Sequence, residues 1–168
     1  MADDTIQGLL PKRLSDPTVA VKHRDLQWTW SQYLTESTAR AAALIAAADP
    51  QRPMHIGALL GNTPEMLTQM AAAGLGGYVL CGLNITRRGE ALAADVRRAD
   101  CQFIVTDAEH RPLLDGLNLE GTQVLDTSTP VANAQALSTN ENTATSGTLT
   151  AMDTDGDESK TKFMLITK

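Results

Sequence analysis

The sequence predicts an α/β fold in which parallel strands are joined through helices. Three observations carry that expectation. Short apolar runs alternate with helix-patterned segments of about a dozen residues, the spacing of βαβ units. Right-handed crossovers between successive strands then imply a parallel sheet. Apolar residues make up 42% of the chain and aromatics only 4%, so the core is built from Ala, Leu, Val, Ile and Met. Such a core suits helices packed on a sheet better than an aromatic-rich sandwich. A chain of 168 residues is long enough for one domain, or for a large piece of one.

The elements follow in order. Residues 1–18 are a lead-in, and Val19-Ala20-Val21 is a short β-prone stretch. In "TWSQYLTESTARAAALIAAAD" the residues Tyr33, Leu34, Ala41, Leu44 and Ile45 fall near one helical face, with Thr29 as N-cap. Pro50 and Pro53 end that helix, and "MHIGALLG" reads as a buried strand. In "NTPEMLTQMAAAGLGG", Thr63 caps a second helix, Pro64 fits its first turn, and Gly76 or Gly77 closes it. Its run Ala71, Ala72, Ala73 and Gly74 permits close approach to a sheet. "YVLCGLN" is a second strand of the series. "RRGEALAADVRRAD" is a third helix, capped at Thr86 or Arg88, with Leu92, Val96 and Ala99 on one stripe. "CQFIVTD" is the next strand, a shorter helix is expected around 108–115, and "TQVLD" completes the α/β subdomain at residue 126.

Beyond Asp126 the composition changes. Residues 127–161 are rich in Thr, Ser, Asn, Ala and Asp and offer little core, so they read as a polar tether whose composition allows disorder. Residues 162–168, with the run Phe163-Met164-Leu165-Ile166, then read as a strand that returns toward the sheet.

Charge and chemistry narrow the function classes. The formal net charge is −6 and basic residues occur only in short pairs, which excludes a basic stripe for nucleic acid. No run of about 18 apolar residues exists to span a bilayer. "MADDTIQGLL" carries acids where a signal peptide would carry basic residues, so a cytoplasmic location is expected. Cys81 and Cys101 make no disulfide framework and read as reduced core residues. His23, His55 and His110 are dispersed, and neither cysteine has a partner at metal-ligand spacing. In "DTDGDES" the residues Asp153, Asp155 and Asp157 alternate, but Glu158 stands where a calcium loop needs glycine. Cys81 lacks the paired histidine of a nucleophile. Arg87 and Arg88 stand near a helix start, where the helix dipole disfavours cations, so pairing with Glu90 or solvation is expected over phosphate binding. Thr145-Ser146-Gly147-Thr148 has the composition of a phosphate loop, but one glycine, no nearby lysine and no preceding strand. The residues thus nominate no catalytic, cofactor-binding or metal-binding site.

Order and spacing add what single motifs do not. The run from His55 through Asp107 resembles the N-terminal region of the adenylate-forming acyl-CoA synthetases, the AMP-binding enzymes, especially actinobacterial fatty-acid-CoA ligases. It carries their helix opening at Asn62-Thr63-Pro64-Glu65, the small-residue helix, the strand ending in Gly82-Leu83-Asn84, and then helix and strand. "LQWTWSQYLTESTARAAALIAAAD" is similar to the family's Thr-Trp helix opening, and the resemblance covers about residues 19 to 126. Phe163-Met164-Leu165-Ile166-Thr167 resembles the strand that, in this family, delivers the Ser/Thr/Gly-rich loop for ATP phosphates.

The resemblance implies an incomplete N-terminal subdomain of an adenylate-forming enzyme. It implies for the full-length family ATP, magnesium and coenzyme A as cofactors, a fatty-acid substrate, and a two-step reaction through acyl-AMP to acyl-CoA. The matched positions are strand cores, caps and turns, so this chain is expected to be inactive alone, as after a premature stop or frameshift, and to hold no cofactor itself. The alternative is a non-catalytic binding or interaction module that associates, with itself or a partner, through an open sheet edge.

Overall fold

The computed structural model describes residues 5–127 and the backbone of two further strands, Thr145–Met152 and Glu158–Leu165. The chain divides into two units at Asp126.

In the first unit the elements are α1 (Ile6–Leu9), a 3-10 turn (Leu10–Arg13), β1 (Val19–His23), β2 (Leu26–Thr29), α2 (Trp30–Ala47), β3 (His55–Leu59), α3 (Pro64–Gly76), β4 (Val79–Gly82), α4 (Gly89–Ala99), β5 (Phe103–Thr106), a 3-10 turn (Arg111–Leu114) and β6 (Gln123–Asp126). Strands β4, β3, β5 and β6 lie side by side in that order, and every pair is parallel. The α/β class with a parallel sheet is therefore what the chain adopts.

The sheet order explains the layers. The chain leaves β3 in one direction to reach β4, then crosses back over β3 to reach β5. Crossovers of one hand that run in opposite directions place their helices on opposite faces. Accordingly Ile56, Ala58, Leu60, Phe103 and Val105 pack with Ala41 and Leu44 of α2 and Ala72 and Ala73 of α3. Leu59 and Ile104 pack on the other face with Leu92 and Val96 of α4 and with Leu114. Each fully buried Leu, Ile or Phe here contributes about 2 kcal/mol of apolar transfer.

Local chemistry sets the helix ends. Thr29 Oγ1 accepts from the Gln32 N–H at 3.2 Å while Gln32 Oε1 accepts from the Thr29 N–H at 3.0 Å, a reciprocal capping box. Thr63 caps α3 by accepting from Met66 N–H, with Pro64 in its first turn. Gly77 closes α3 at φ 71°, a left-handed geometry that glycine adopts without strain. Arg88, not Thr86, holds the N-cap position of α4, and its side chain makes no capping bond.

Polar clamps then fix the layers. Buried Gln102, just before β5, accepts from Asp49 N–H at 2.8 Å and donates to the Pro53 carbonyl at 2.9 Å, holding the loop between α2 and β3. The lead-in is part of this unit: a Cβ on Gly74 of α3 would stand 2.7 Å from Ile6 Cγ2. Asp16 anchors it by accepting from Thr18 N–H at 2.8 Å, Thr18 Oγ1 at 2.6 Å and Arg13 Nη1 at 2.6 Å. Arg13 in turn lies 5.5 Å from the centre of the Trp30 ring.

Several expectations are corrected. The stretch before α2 is a hairpin: β1 pairs antiparallel with β2 across Arg24-Asp25, where Arg24 takes φ 52°. Residues 26–29 thus form a strand where the sequence predicts no element between Val21 and Thr29. Ile45 is 49% exposed, because the buried stripe of α2 runs through Leu34, Ser37, Ala41 and Leu44, and Ile45 lies a residue beyond it. The helix expected around 108–115 is only the 3-10 turn Arg111–Leu114, since Pro112 supplies no N–H and Gly116 breaks the pattern.

The second unit also departs from expectation. Within the tether of 127–161, Thr145–Met152 forms β7, and the terminal strand β8 is Glu158–Leu165 rather than 162–168. The two pair antiparallel in a sheet of their own, from Thr145 opposite Leu165 to Met152 opposite Glu158, instead of β8 joining the parallel sheet. Ile166, Thr167 and Lys168 lie outside the described residues.

Two outcomes follow. Thr29→Ala should lower the unfolding free energy by about 1 kcal/mol in urea titrations, through loss of the capping box. The hydroxyl of Thr18, its N–H and the Arg13 guanidinium hold the Asp16 carboxyl down at about 2, against 3.8 ordinarily. Its folded value lies below its unfolded one, so the anchoring is full above pH 3.8 and is lost as pH falls toward 2. Amide exchange at residues 13–18 should rise across that window in the parent chain, and Asp16→Asn should abolish the step.

Candidate functional site

In an open parallel sheet the carboxyl ends of the strands hand over to loops, and ligands bind where the strand order reverses. Here that point lies between β3 and β5. The loops that converge there are 60–63 after β3, 83–88 after β4 and 107–110 after β5.

Their polar side chains are committed to building the loops. Asn84 Oδ1 accepts from Thr86 N–H at 2.8 Å and from Thr86 Oγ1 at 2.7 Å. Asp107 Oδ1 accepts from His110 N–H at 2.9 Å and faces the His110 ring nitrogen Nδ1 at 2.6 Å. The imidazole is buried, with Cε1 against the backbone of Gly61. Thr106 Oγ1 donates to the Leu59 carbonyl at 3.0 Å and ties β5 to β3 at its end.

Beside this edge runs an open groove of about 420 Å³ between the β1 strand and the start of α3. Val21, Met66, Leu67 and Met70 give it an apolar wall, and Asn62 and Thr63 border it. Leu67 is 42% and Met70 54% exposed. Lys22 and His23 are its basic residues, and no carboxylate lines it. The groove offers surface for contact but no nucleophile paired with a base.

The residues singled out in the sequence are spread through the structure. His23 lies on the groove. His55 opens β3 with Nδ1 at 2.8 Å from the Ala99 carbonyl, and His110 sits at the opposite end of the sheet. Among the described residues no group of three or more His, Cys, Asp or Glu side chains is placed to hold a metal ion. Burial lifts the Cys101 thiol to about 12, with Cys81 beside it adding to the effect. Burial likewise pushes the Tyr78 phenol to about 12, and its hydroxyl has no hydrogen-bond partner among the described residues.

The arginine expectation needs correction. Arg87 pairs with Asp95 at 3.0 Å, two turns into α4, and not with Glu90, which pairs with Arg97. Arg88 donates to the carbonyls of Ile85 and Arg87 at 2.8 Å each. With Arg87 outside the helix, its long side chain lies back along α4 and reaches the later carboxylate. Ser146-Gly147-Thr148 lies within β7 rather than in a loop after a strand. Asp153, Asp155 and Asp157 lie outside the described residues.

Two features escaped the sequence reading. One is the Asp107-x-x-His110 pair, whose spacing is that of a cap over a single turn. The other joins α2 to α3: Arg40 Nε and Nη2 bond the Glu65 carboxylate at 2.9 and 3.0 Å, and Gln69 Nε2 donates to the same carboxylate at 2.8 Å. Burial acts to lower the Arg40 pKa, and the Glu65 carboxylate overrides it, so the guanidinium is held above its ordinary value. Positions 40 and 65 are too far apart for any local signal.

Comparison with known proteins supplies the family. The AMP-binding enzyme family matches residues 12–163. The chain belongs to that family. This AMP-binding chain is 43% identical over 115 residues to steroid-22-oyl-CoA synthetase of Rhodococcus jostii (strain RHA1), a match that covers 68% of this chain and 20% of that protein. It is 40% identical over 116 residues to the medium/long-chain-fatty-acid–CoA ligase FadD17 of Mycobacterium marinum (strain ATCC BAA-535 / M), covering 69% and 23% respectively. The chain thus spans about a fifth of the length of these curated relatives. Among solved structures, ATP-bound MatB from Rhodopseudomonas palustris superposes with a TM-score of 0.61 at 18% identity, covering 73% of this chain and 25% of that one. The anthranilate CoA ligase AuaEII gives 0.62 at 17%, covering 72% and 25%. These two establish a shared fold.

At the switch point the described polar side chains of Asn84, Thr86, Asp107 and His110 turn toward their own loops. No helix among the described residues is long and apolar enough to cross a membrane.

Glu65→Ala should leave Arg40 partly buried and uncompensated, lowering stability by about 2 kcal/mol. That is below the roughly 3–5 kcal/mol of fully buried pairs, because both side chains keep some exposure. Arg40→Met combined with Glu65→Leu should recover most of the loss in urea titrations.

Proposed function

We propose that this chain supplies the N-terminal scaffold of an ATP-dependent fatty-acid–CoA ligase and is inactive by itself. The observation that carries this reading is the AMP-binding family match over residues 12–163, together with acyl-CoA ligase relatives of which the chain covers about a fifth. The parallel sheet supports it: among the described residues, Asn84, Thr86, Asp107 and His110 at its carboxyl edge bond within their own loops. In a complete ligase the reaction would use ATP, magnesium and coenzyme A to convert a carboxylate to acyl-AMP and then acyl-CoA. These residues would shape and stiffen the subdomain against which that chemistry is assembled, in the cytoplasm.

A second reading rests on a sheet edge. β4 is an outer strand of the parallel sheet among the described residues, and its Val79 is 51% exposed, so an interaction module that adds a strand would dock there.

Purified chain supplied with Mg-ATP, coenzyme A and a panel of medium- and long-chain fatty acids should release no pyrophosphate above the protein-free background. Carboxylate-dependent pyrophosphate release with formation of acyl-CoA would overturn the reading. A chain that is inactive and also monomeric at high concentration in analytical ultracentrifugation would remove the edge-pairing reading as self-association.

A further inference from the structure

The two cysteines, twenty positions apart in sequence, share one notch in the sheet. Cys81 on β4 stands directly opposite Gly57 on β3. Paired residues on adjacent strands point to the same face, about 4.8 Å apart. Gly57 has no side chain, and a Cβ built there would meet Cys101 Sγ at 3.3 Å. The Cys101 sulfur therefore lies beside Gly57 on the face toward which Cys81 points, and Cys81 packs against the apolar cluster that contains Cys101.

The notch is rigid. Thr122 Oγ1 donates to the Cys101 carbonyl at 2.8 Å and Arg52 Nη2 reaches it at 3.4 Å, pinning the backbone just before β5. Ile104 and Leu83 close the notch on other sides, with Leu83 Cδ1 3.0 Å from the same built Cβ. Both cysteines are free, Cys101 wholly buried and Cys81 partly exposed. Cys81 thus keeps some exposure while Cys101 is enclosed.

We propose that Cys81 and Cys101 are a redox modification site that closes to a single intrachain disulfide by exchange with a low-molecular-weight disulfide. The accessible Cys81 sulfur, as thiolate, attacks the small disulfide RS–SR. An S–S bond forms to one sulfur and the other leaves as RS⁻. The Cys101 sulfur then gives up its proton and attacks Cys81, forming the Cys81–Cys101 bond and displacing the second RS⁻. Two protein thiols and RS–SR become one protein disulfide and two RSH, so atoms and electrons balance. The crosslink would staple the outer strand β4 to the start of β5 across β3. Its effect falls on the sheet edge and not on any step of ligase chemistry, so it stands or falls apart from the proposed function.

The test is incubation of the folded, reduced full chain with oxidised glutathione at neutral pH, followed by intact mass and peptide mapping. The expected product has lost two hydrogens, carries no glutathione, yields a peptide linking Cys81 to Cys101, and returns to the reduced mass with dithiothreitol. Cys101→Ser should instead retain one glutathione on Cys81. A parent chain that keeps glutathione on Cys81, stays unmodified, or crosslinks only between two molecules would overturn the proposal. The parent chain decides the matter even if the serine variant fails to fold, provided its circular dichroism is unchanged during closure.

Discussion

The burial of one strand on both faces is the constraint on which the rest of the first unit depends. β3 has parallel neighbours on each side, so its central residues are paired in two ladders, and its residues alternate between two apolar clusters. Ile56, Ala58 and Leu60 face α2 and α3, while Gly57 and Leu59 face the side of α4. Any polar or branched intruder would be felt in both layers, because close-packed interiors transmit volume changes instead of absorbing them. The alanines of α3 follow from this: small side chains let the helix axis approach the sheet while Ile56 and Phe103 fill the space between.

Around this strand the polar groups act as fasteners. Gln102 holds the loop that leads into β3, Thr106 ties the far ends of β3 and β5, and the Arg40–Glu65 fork joins the two helices on one face. Each replaces hydrogen bonds to water with bonds whose geometry the fold prescribes, so their value lies more in position than in net energy. The same economy governs the carboxyl edge of the sheet. Asn84 and Asp107 spend their acceptors on adjacent N–H groups, which makes the loops well defined and leaves them little capacity for chemistry.

Legibility in the sequence depended on the range of the deciding interaction. The caps at Thr29 and Thr63 are settled within four residues and were read correctly, and of the two glycines left open at the end of α3, Gly77 takes the cap. The strands of the parallel sheet were equally visible: β3 and β5 are buried on both faces and leave continuous apolar runs, and the edge strands β4 and β6 keep their place in the alternation with helices. The hairpin of β1 and β2 was not visible, since Arg24-Asp25 lacks the glycine or asparagine that marks a tight turn, although Arg24 takes up the same left-handed geometry. Ile45 was misplaced because periodicity gives the width of a helical face but not which edge of it meets the sheet. The partner of Arg87 depended on how a flexible side chain lies along its helix, where Glu90 and Asp95 compete and local spacing does not decide.

The sequence by itself determined the fold class, the parallel connectivity and the family, because alternating apolar runs and helix caps are written in neighbouring residues and keep their order along the chain. Only the tertiary structure decided which residues share a space: Arg40 with Glu65, Gln102 with the loop after α2, and Cys81 with Cys101 over Gly57. The physical reason is that such pairings depend on strand order and on which face each helix covers. Those are set by the crossovers as a whole, and no short window of sequence contains them.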